Sequence, residues 1–243
     1  MTQEEIMNTI NEGISVIPIT TNKKTPHKVL CKTHKLLERL ATKEEVRDWV
    51  ESKVTSFAVA GGKVSGNLMT LDFDEKHLTG LYDAWYNKLS DDQKKIVDTC
   101  QKNSTRNKGT HLRYRTETPQ PTVKLARKVE WSNELKRETI VTIAETRGEG
   151  TYALIPPSEG YINLQGSLQD LPTLPDEIHE ELIDILRTFN EVEDEPEPEY
   201  DWKPINNYAS DRPGDRFNTQ ATWERILEPH GWRTAGGGYW TRP

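Results

Sequence analysis

Two carboxylates stand two residues apart at the end of an apolar run, in the segment "NLMTLDFDEKH" (residues 67–77). The apolar run predicts a buried strand, and residues i and i+2 of a strand point to the same face. Asp72 and Asp74 therefore aim together, while Phe73 turns the other way. Because adjacent like charges repel unless a cation neutralises them, the pair predicts a cation site. Alternating acids on a solvated strand are the simpler alternative.

A second segment, "STRNKGTHLRYR" (residues 104–115), carries groups suited to phosphates. Thr105, Lys108 and His111 offer a hydroxyl, an ammonium and an imidazole, and Gly109 precedes a predicted strand. A loop of exposed backbone N–H groups beside a lysine and a histidine suits a triphosphate. The alternative is a histidine that only occupies a partly exposed strand.

The third segment is "TIAETRGEGTYALIPPS", residues 142–158. Glu145 and Arg147 share a face of a predicted strand by the same two-residue period. Gly148 and Gly150, which follow, permit close approach of another backbone. A hairpin with a cross-strand ion pair would give the same pattern without a function.

Charge is unevenly distributed along the 243 residues, although the net charge is −7. Residues 190–201 hold seven of the 39 acidic residues and no basic one, which leaves 32 acidic against 32 basic residues elsewhere. Residues 101–128 hold eight Lys or Arg and one Glu. This basic stripe on a neutral body predicts a patch for phosphates, with a merely solvated face as the alternative.

Several classes of protein are excluded by composition. Two cysteines cannot form a disulfide framework or a zinc site built on several thiolates. No apolar run approaches the roughly 18 residues of a membrane span, and the N-terminus lacks the pattern of a secretory signal. We therefore expect a cytoplasmic protein with no membrane partner.

Hydrophobic periodicity predicts an α/β (α+β) fold in which helices cover a mixed or antiparallel sheet. Helices are predicted before Gly13 and over residues 42–52, 80–89 and 174–190. The predicted strands cover residues 13–20, 56–62, 67–74, 110–116, 138–148 and 151–158. Three parts follow: a catalytic domain over residues 1–189, a disordered acidic linker over 190–201, and a small C-terminal segment over 202–243 with a short helix over 218–232.

The three segments together resemble the archaeo-eukaryotic primase superfamily, in its primase-polymerase branch found in phages and plasmids. That family has a strand ending in an acid-x-acid pair, a Ser/Thr-rich loop with Gly-x-His, and a strand with a third acid and a basic residue two positions later. The resemblance covers residues 10 to about 160, including the opening strand and the "KKTP" loop. Two departures are Glu145, where the family often has Asp, and Asn107-Lys108-Gly109, where it commonly has Ser-Gly-Gly.

The resemblance implies a primase-like core with an RRM-like sheet and a nucleotidyl transfer reaction that uses two Mg²⁺ or Mn²⁺ ions. It assigns Asp72 and Asp74 to both ions and Glu145 to the ion that activates the primer hydroxyl. It also places His111 on the phosphates of the incoming dNTP or NTP. Beside it we expect Thr105, Lys108 and Arg147, with Arg147 on a phosphate or the template.

Single-stranded DNA, as template and primer, is the implied partner. We expect the template backbone to be held by the basic residues Arg113, Arg115, Lys124, Arg127 and Lys128, so that binding weakens with salt. The C-terminal segment resembles the part that joins such primases to a helicase domain, which would make this chain the N-terminal part of a primase-helicase. Its Trp223, Trp232, Tyr239 and Trp240 either stack on bases or form a small core.

Two other functions remain open from the residues. A metal-dependent nuclease also uses clustered acids, but the sequence offers no clear general base beside them. A nucleic-acid-binding module with a decayed site is the non-enzymatic alternative, against which all three acids and the histidine are present. The sequence does not distinguish priming from primer extension, or deoxynucleotides from ribonucleotides.

Overall fold

The computed structural model of the chain describes residues 1–21, 23–192, 227–236 and 239–241. The chain divides into two compact units, Met1–Asp194 and Glu195–Pro243. The helices of the first unit are α1 (Gln3–Asn11), α2 (Thr33–Leu36), α3 (Lys43–Glu51), α4 (Leu81–Lys88), α5 (Asp91–Val97) and α6 (Asp176–Arg187). Its strands are β1 (Val16–Ile19), β2 (Ser56–Ala60), β3 (Leu68–Phe73), β4 (Gln101–Ser104), β5 (Thr110–Thr116), β6 (Lys124–Ser132), β7 (Arg137–Arg147), β8 (Tyr152–Ile155), β9 (Ile162–Gln165) and β10 (Thr173–Leu174).

Local sequence starts several of these helices. The capping box that the sequence predicts for α3 is present: the Thr42 side chain accepts from the backbone N–H of Glu45, and the Glu45 carboxylate accepts from the backbone N–H of Thr42. The same arrangement begins α1 and α5. Each such cap satisfies N–H groups that a helix N-terminus otherwise leaves without partners.

Two sheets form the first unit. The larger sheet has the order β6-β7-β3-β5-β4-β9, and all of these neighbours are antiparallel. The short strand β10 adds to it by pairing in parallel with β5. The smaller sheet is antiparallel, with the order β1-β2-β8.

The larger sheet has one apolar face and one polar face. On the apolar face, side chains such as Leu71, Phe73 and Leu112 pack against buried side chains of α4, α5 and α6. A second core surrounds the smaller sheet and includes Ile6 of α1 and Trp49 of α3. The polar side chains of β3, β5 and β7 lie on the face away from the helices, next to the smaller sheet.

The predicted fold class is confirmed, since helices flank a largely antiparallel sheet. The sequence missed β4 and β6 because both are rich in polar and charged residues that hide the alternation of a strand. None of the helices in the described residues is long and apolar enough to cross a bilayer.

The second unit is described only in part. The predicted acidic linker lies mostly outside the described residues, and so do Trp223 and most of the predicted helix over residues 218–232. Within that range the structure has a 3₁₀ turn, Glu228–His230. Strands β11 (Arg233–Gly236) and β12 (Tyr239–Thr241) then pair in antiparallel fashion.

Candidate active site

Asp72 lies at the centre of the polar face, between two chemically reactive neighbours. The register of β3 places Asp72 opposite His111 of β5 on one side and opposite Glu145 of β7 on the other. Directly opposed residues of antiparallel strands project to the same face. Main-chain pairing alone therefore gathers an imidazole and two carboxylates from segments that are far apart in the sequence.

The hydrogen bond from Arg113 determines which ring nitrogen of His111 carries the proton. It lies two residues further along β5, is completely buried, and donates from Nη2 to Nδ1 of His111 at 2.8 Å. Because a guanidinium can only donate, Nδ1 must accept, and the remaining proton of the neutral ring lies on Nε2. That atom is 3.3 Å from Oδ1 of Asp72. Burial also lowers the pKa of His111, so His111 acts as a neutral donor.

Neutral partners hold Arg113 in place. Besides His111 it donates to Oε1 of Gln101 at 2.9 Å, to Oδ1 of Asn103, and to the Leu154 carbonyl of β8 at 2.8 Å. Its Nε has no partner among the described residues. Burial lowers the pKa of Arg113 to about 9, which leaves it charged at neutral pH. Since Leu154 belongs to the smaller sheet, Arg113 also joins the two sheets behind His111.

Arg147 pairs with both strand carboxylates. Its Nη2 lies 3.4 Å from Oδ2 of Asp72 and 2.5 Å from Oε1 of Glu145. Burial by itself would raise the pKa of Asp72, but His111 and Arg147, together with Lys24, lower it to about 2. Burial raises the pKa of Glu145, and the pull of Arg147 does not fully offset it. Asp72 is therefore ionised at neutral pH, whereas burial makes the ionised form of Glu145 energetically unfavourable.

A small polar cavity of about 70 Å³ lies over these groups. Asp74, Thr105 and Tyr161 also line it. The ring centroid of Tyr161 is 5.8 Å from that of His111. Lys24, from the loop after β1, lines both this cavity and the adjoining one beside β8. The cavity is therefore lined by both carboxylates and cationic groups.

Gly109 lets the loop between β4 and β5 approach the end of β3. A Cβ atom built on Gly109 would lie 2.2 Å from the Phe73 carbonyl and 3.1 Å from Oγ1 of Thr105. The loop is closed by backbone bonds from Thr105 N–H to the Gly109 carbonyl and from Lys108 N–H to the Thr105 carbonyl. Any larger side chain at this position would therefore displace the loop from the end of β3.

One comparison decides the family. Residues 7–177 match the sequence profile of the family described as "Bifunctional DNA primase/polymerase, N-terminal", or Prim-Pol. The chain belongs to the Prim-Pol family. The match spans all three segments of the polar cavity and ends within α6. No curated protein matches the chain.

Family membership makes this a nucleotidyltransferase-type enzyme domain of the DNA primase/polymerase kind. The structure of the Prim-Pol domain brings Asp72, Asp74, His111, Glu145 and Arg147 to one cavity. It leaves Lys108 exposed and outside the cavity lining, although Thr105 of the same loop is inside.

The prediction that Arg113 and Arg115 of the Prim-Pol domain contact the DNA backbone is wrong. Arg113 is completely buried, and Arg115 is half-buried and donates to the backbone carbonyls of Ser65, Gly66 and Glu12. Alternation along β5 correctly puts both arginines on the face of His111. The error was to take that face as solvent, because the smaller sheet and its surrounding loops cover it.

Sequence reasoning assigned no role to Lys24 or Tyr161 in the Prim-Pol domain. Both come from loops that reach the cavity through tertiary contacts, and neither has a periodic neighbour that points to it. The only signal was the position of Lys24 in the "KKTP" loop, which already belonged to the resemblance.

The donor set of the Prim-Pol domain suits a hard divalent cation, since Asp72, Asp74 and Glu145 offer carboxylate oxygens to one polar cavity. Within the described residues, no three Asp, Glu, His or Cys side chains are gathered tightly enough to form a metal cluster. The guanidinium of Arg147 pairs with two of the three carboxylates. A metal ion would have to replace that guanidinium.

Proposed function

We propose that this Prim-Pol domain synthesises DNA on a single-stranded template from nucleoside triphosphates, with two divalent cations, in phage or plasmid replication. The observation that carries the proposal is the register of β3, which places Asp72 between His111 and Glu145 at the floor of a polar cavity. Such a cavity has the two kinds of group that transfer of a nucleotidyl group requires. Carboxylates bind cations, and cationic or donor groups bind a triphosphate.

In this proposal Asp72, Asp74 and Glu145 hold Mg²⁺ or Mn²⁺, which when bound activates the primer hydroxyl and neutralises the departing pyrophosphate. Asp72 supplies a permanent negative charge, because its pKa lies near 2. Glu145 carries a raised pKa and gains most from a nearby cation, which removes the energetic penalty of its burial.

The cavity also receives the triphosphate of the incoming nucleotide. His111 carries its proton on Nε2, which lies against Oδ1 of Asp72; once a cation holds Asp72, that N–H becomes available to a phosphate oxygen. Lys24 and the hydroxyl of Thr105 line the same space. Arg147, once displaced from the carboxylates by a cation, becomes available to a phosphate oxygen. Charge neutralisation and positioning, rather than acid–base chemistry, would supply most of the rate enhancement.

A primer-free synthesis assay tests the proposal. It uses single-stranded DNA, labelled nucleotides and Mn²⁺ or Mg²⁺, with the Asp72→Ala/Asp74→Ala double variant and with Asp184→Asn, an exposed acid of α6, as the matched control. We expect products from the wild type and the control and none from the double variant. Equal synthesis by the double variant would refute the carboxylate site.

The same reactions, repeated with a primer, distinguish the remaining functions. Products that appear only with a primer indicate a polymerase that does not initiate. Shortening of the labelled template, abolished by the double variant, indicates a nuclease. DNA binding without either reaction indicates a binding module. The last two outcomes would contradict the proposal.

A further inference from the structure

The β6–β7 hairpin exposes an unusual number of large apolar side chains. Val129, Trp131, Leu135 and Ile140 are each about half exposed, with Trp131 at 58% and Ile140 at 59%. They make up half of the eight large apolar side chains that are exposed in the described residues. Single exposed apolar residues need no explanation, whereas a contiguous group indicates an interaction surface. We call these four residues the apolar strip.

The apolar strip lies on the same face of the larger sheet as Asp72. Val129 is paired with Ile140, and Trp131 lies two residues beyond Val129, so these three side chains share a face. The opposite face of the hairpin turns toward the helices, because Val141 packs against the helix-covered core. A β-bulge between Ala144 and Thr142 shifts the alternation along β7, so Val129, Trp131 and Ile140 project away from that core, as Asp72 does.

Cationic side chains lie at both ends of the apolar strip. Lys124 is exposed and stands opposite Glu145 in the register of β6 and β7. Lys136 and Arg137 are exposed at the tip of the hairpin. Two exposed acids lie among them: Glu138 stands opposite Trp131, and Glu134 is at the hairpin tip. An aromatic side chain between cations is the combination that proteins use for single-stranded nucleic acid, with stacking on bases and attraction to phosphates.

The distance along β7 from the apolar strip to Glu145 can be expressed as a number of nucleotides. Ile140 lies five residues from Glu145 along β7, which is roughly 17 Å of extended chain. One strand of DNA advances about 3.4 Å per nucleotide. Trp131 stands opposite Glu138, two residues further along β7, so it lies at most about seven nucleotides from the reacting position, because an unpaired strand is more extended than a duplex strand.

We propose that the apolar strip binds the unpaired template strand by stacking of bases on Trp131, at most about seven nucleotides from the site of synthesis. The inference rests on the proposed function, since it supposes that the cavity acts on DNA. In this proposal an apolar contact takes the place of some of the basic template contacts that the sequence predicted. Val129 and Ile140 form the floor on which the indole and the bases lie.

A second copy of the chain is the competing occupant. Four half-exposed apolar side chains provide roughly 400 Å², given 150–250 Å² for a large aromatic residue. A stable protein interface needs about 800 Å² on each partner. Single-stranded DNA needs no such area, because each stacked base contributes separately.

Fluorescence anisotropy with labelled oligo-dT of 3 to 15 nucleotides, at several salt concentrations, tests the inference. We expect Trp131→Ala to weaken binding of the longer oligonucleotides about tenfold and to leave the slope of log Kd against log salt unchanged. Trp131→Phe should restore most of the affinity. Lys124→Gln should instead reduce the slope by about 0.7, as expected for one lost phosphate contact on a single strand.

The matched control is Ile162→Ala, which removes an equally exposed apolar side chain from β9, at the opposite edge of the same sheet. The measurements are repeated in the Asp72→Ala/Asp74→Ala background without nucleotide or metal. If Trp131→Ala weakens oligonucleotide binding in that background, the result supports DNA binding by the apolar strip even if synthesis is never observed. The proposal for the strip and the proposed synthetic activity can therefore be refuted separately.

Two results would overturn the inference. One is equal affinity of the wild type, Trp131→Ala and Ile162→Ala for every oligonucleotide length. The other is a dimer of the wild type that Trp131→Ala converts to a monomer in analytical ultracentrifugation, which would assign the strip to contacts between copies of the chain.

Discussion

Arg147 pairs with Asp72 and Glu145, where we propose that a cation binds, and its replacement by glutamine should have two opposite effects. Each contact joins a guanidinium to a carboxylate that is only about one-fifth exposed. A charge-assisted hydrogen bond contributes about 1.5–3 kcal/mol, but Arg147 is one-third exposed, so solvent screens part of this. We expect the metal-free protein to lose about 2 kcal/mol of unfolding free energy.

Metal binding should move in the other direction. A guanidinium and a divalent cation that share two carboxylates repel each other by about 1–2 kcal/mol even in a water-like dielectric. Removing the guanidinium should therefore tighten the Kd for Mn²⁺ about tenfold. The assays are urea unfolding without metal and titration calorimetry with Mn²⁺ in the absence of nucleotide.

The control for both assays is Arg187→Gln, which removes an arginine that pairs with Glu180 and Asp184 on the surface of α6. It should change neither Mn²⁺ affinity nor stability by more than about 0.5 kcal/mol. If Arg147→Gln binds Mn²⁺ no more tightly than the wild type, Arg147 and the metal do not compete, and the assignment of these carboxylates as ligands is wrong.

Three further predictions concern the same cavity. Arg113→Met removes one donor from each of four buried acceptors, so it should cost about 3 kcal/mol or more in urea unfolding; a cost below 1 kcal/mol would show that the guanidinium is dispensable. Gly109→Ala places a methyl group 2.2 Å from the Phe73 carbonyl, so nucleotide incorporation should fall at least tenfold, and unchanged incorporation would contradict the close approach. Asp72→Asn and Glu145→Gln should shift metal-free stability at pH 7 in opposite directions. The lowered pKa of Asp72 contributes stability that is present above its unfolded value and lost as the pH falls toward 2, so Asp72→Asn destabilises. The raised pKa of Glu145 makes its ionisation costly above that pKa, so Glu145→Gln stabilises, and the gain vanishes in acid; shifts of the same sign in unfolding from pH 3 to 8 would refute the pairing.

Local patterns predicted what depends on local physics. The alternation in β3, β5 and β7 and the capping box of α3 are properties of a few consecutive residues, and they located the motifs on the right strands. The acid pair and the histidine followed from those strands because each stands at or next to a strand end.

The errors share one cause, which is that a sequence does not show what covers a strand. His111, Arg113 and Arg115 do share a face of β5, but the smaller sheet makes that face interior. Lys24 reaches the cavity from a loop that only tertiary packing brings there. The apolar strip follows from a strand, β6, whose charged residues gave no periodic signal.

The register of β3 also has a consequence for how the domain folds. A slip of β7 by one residue would turn Glu145 toward the helix-covered core and bring Ala144, now opposite Phe73, into line with Asp72. A charged group would then be buried without a partner, at a cost of several kcal/mol. The burial cost of Glu145 thus disfavours misregistered sheets, and Glu145 is also one of the carboxylates that we propose as metal ligands. When β3 pairs in the correct register with β5 and β7, the same step brings Asp72, His111 and Glu145 together.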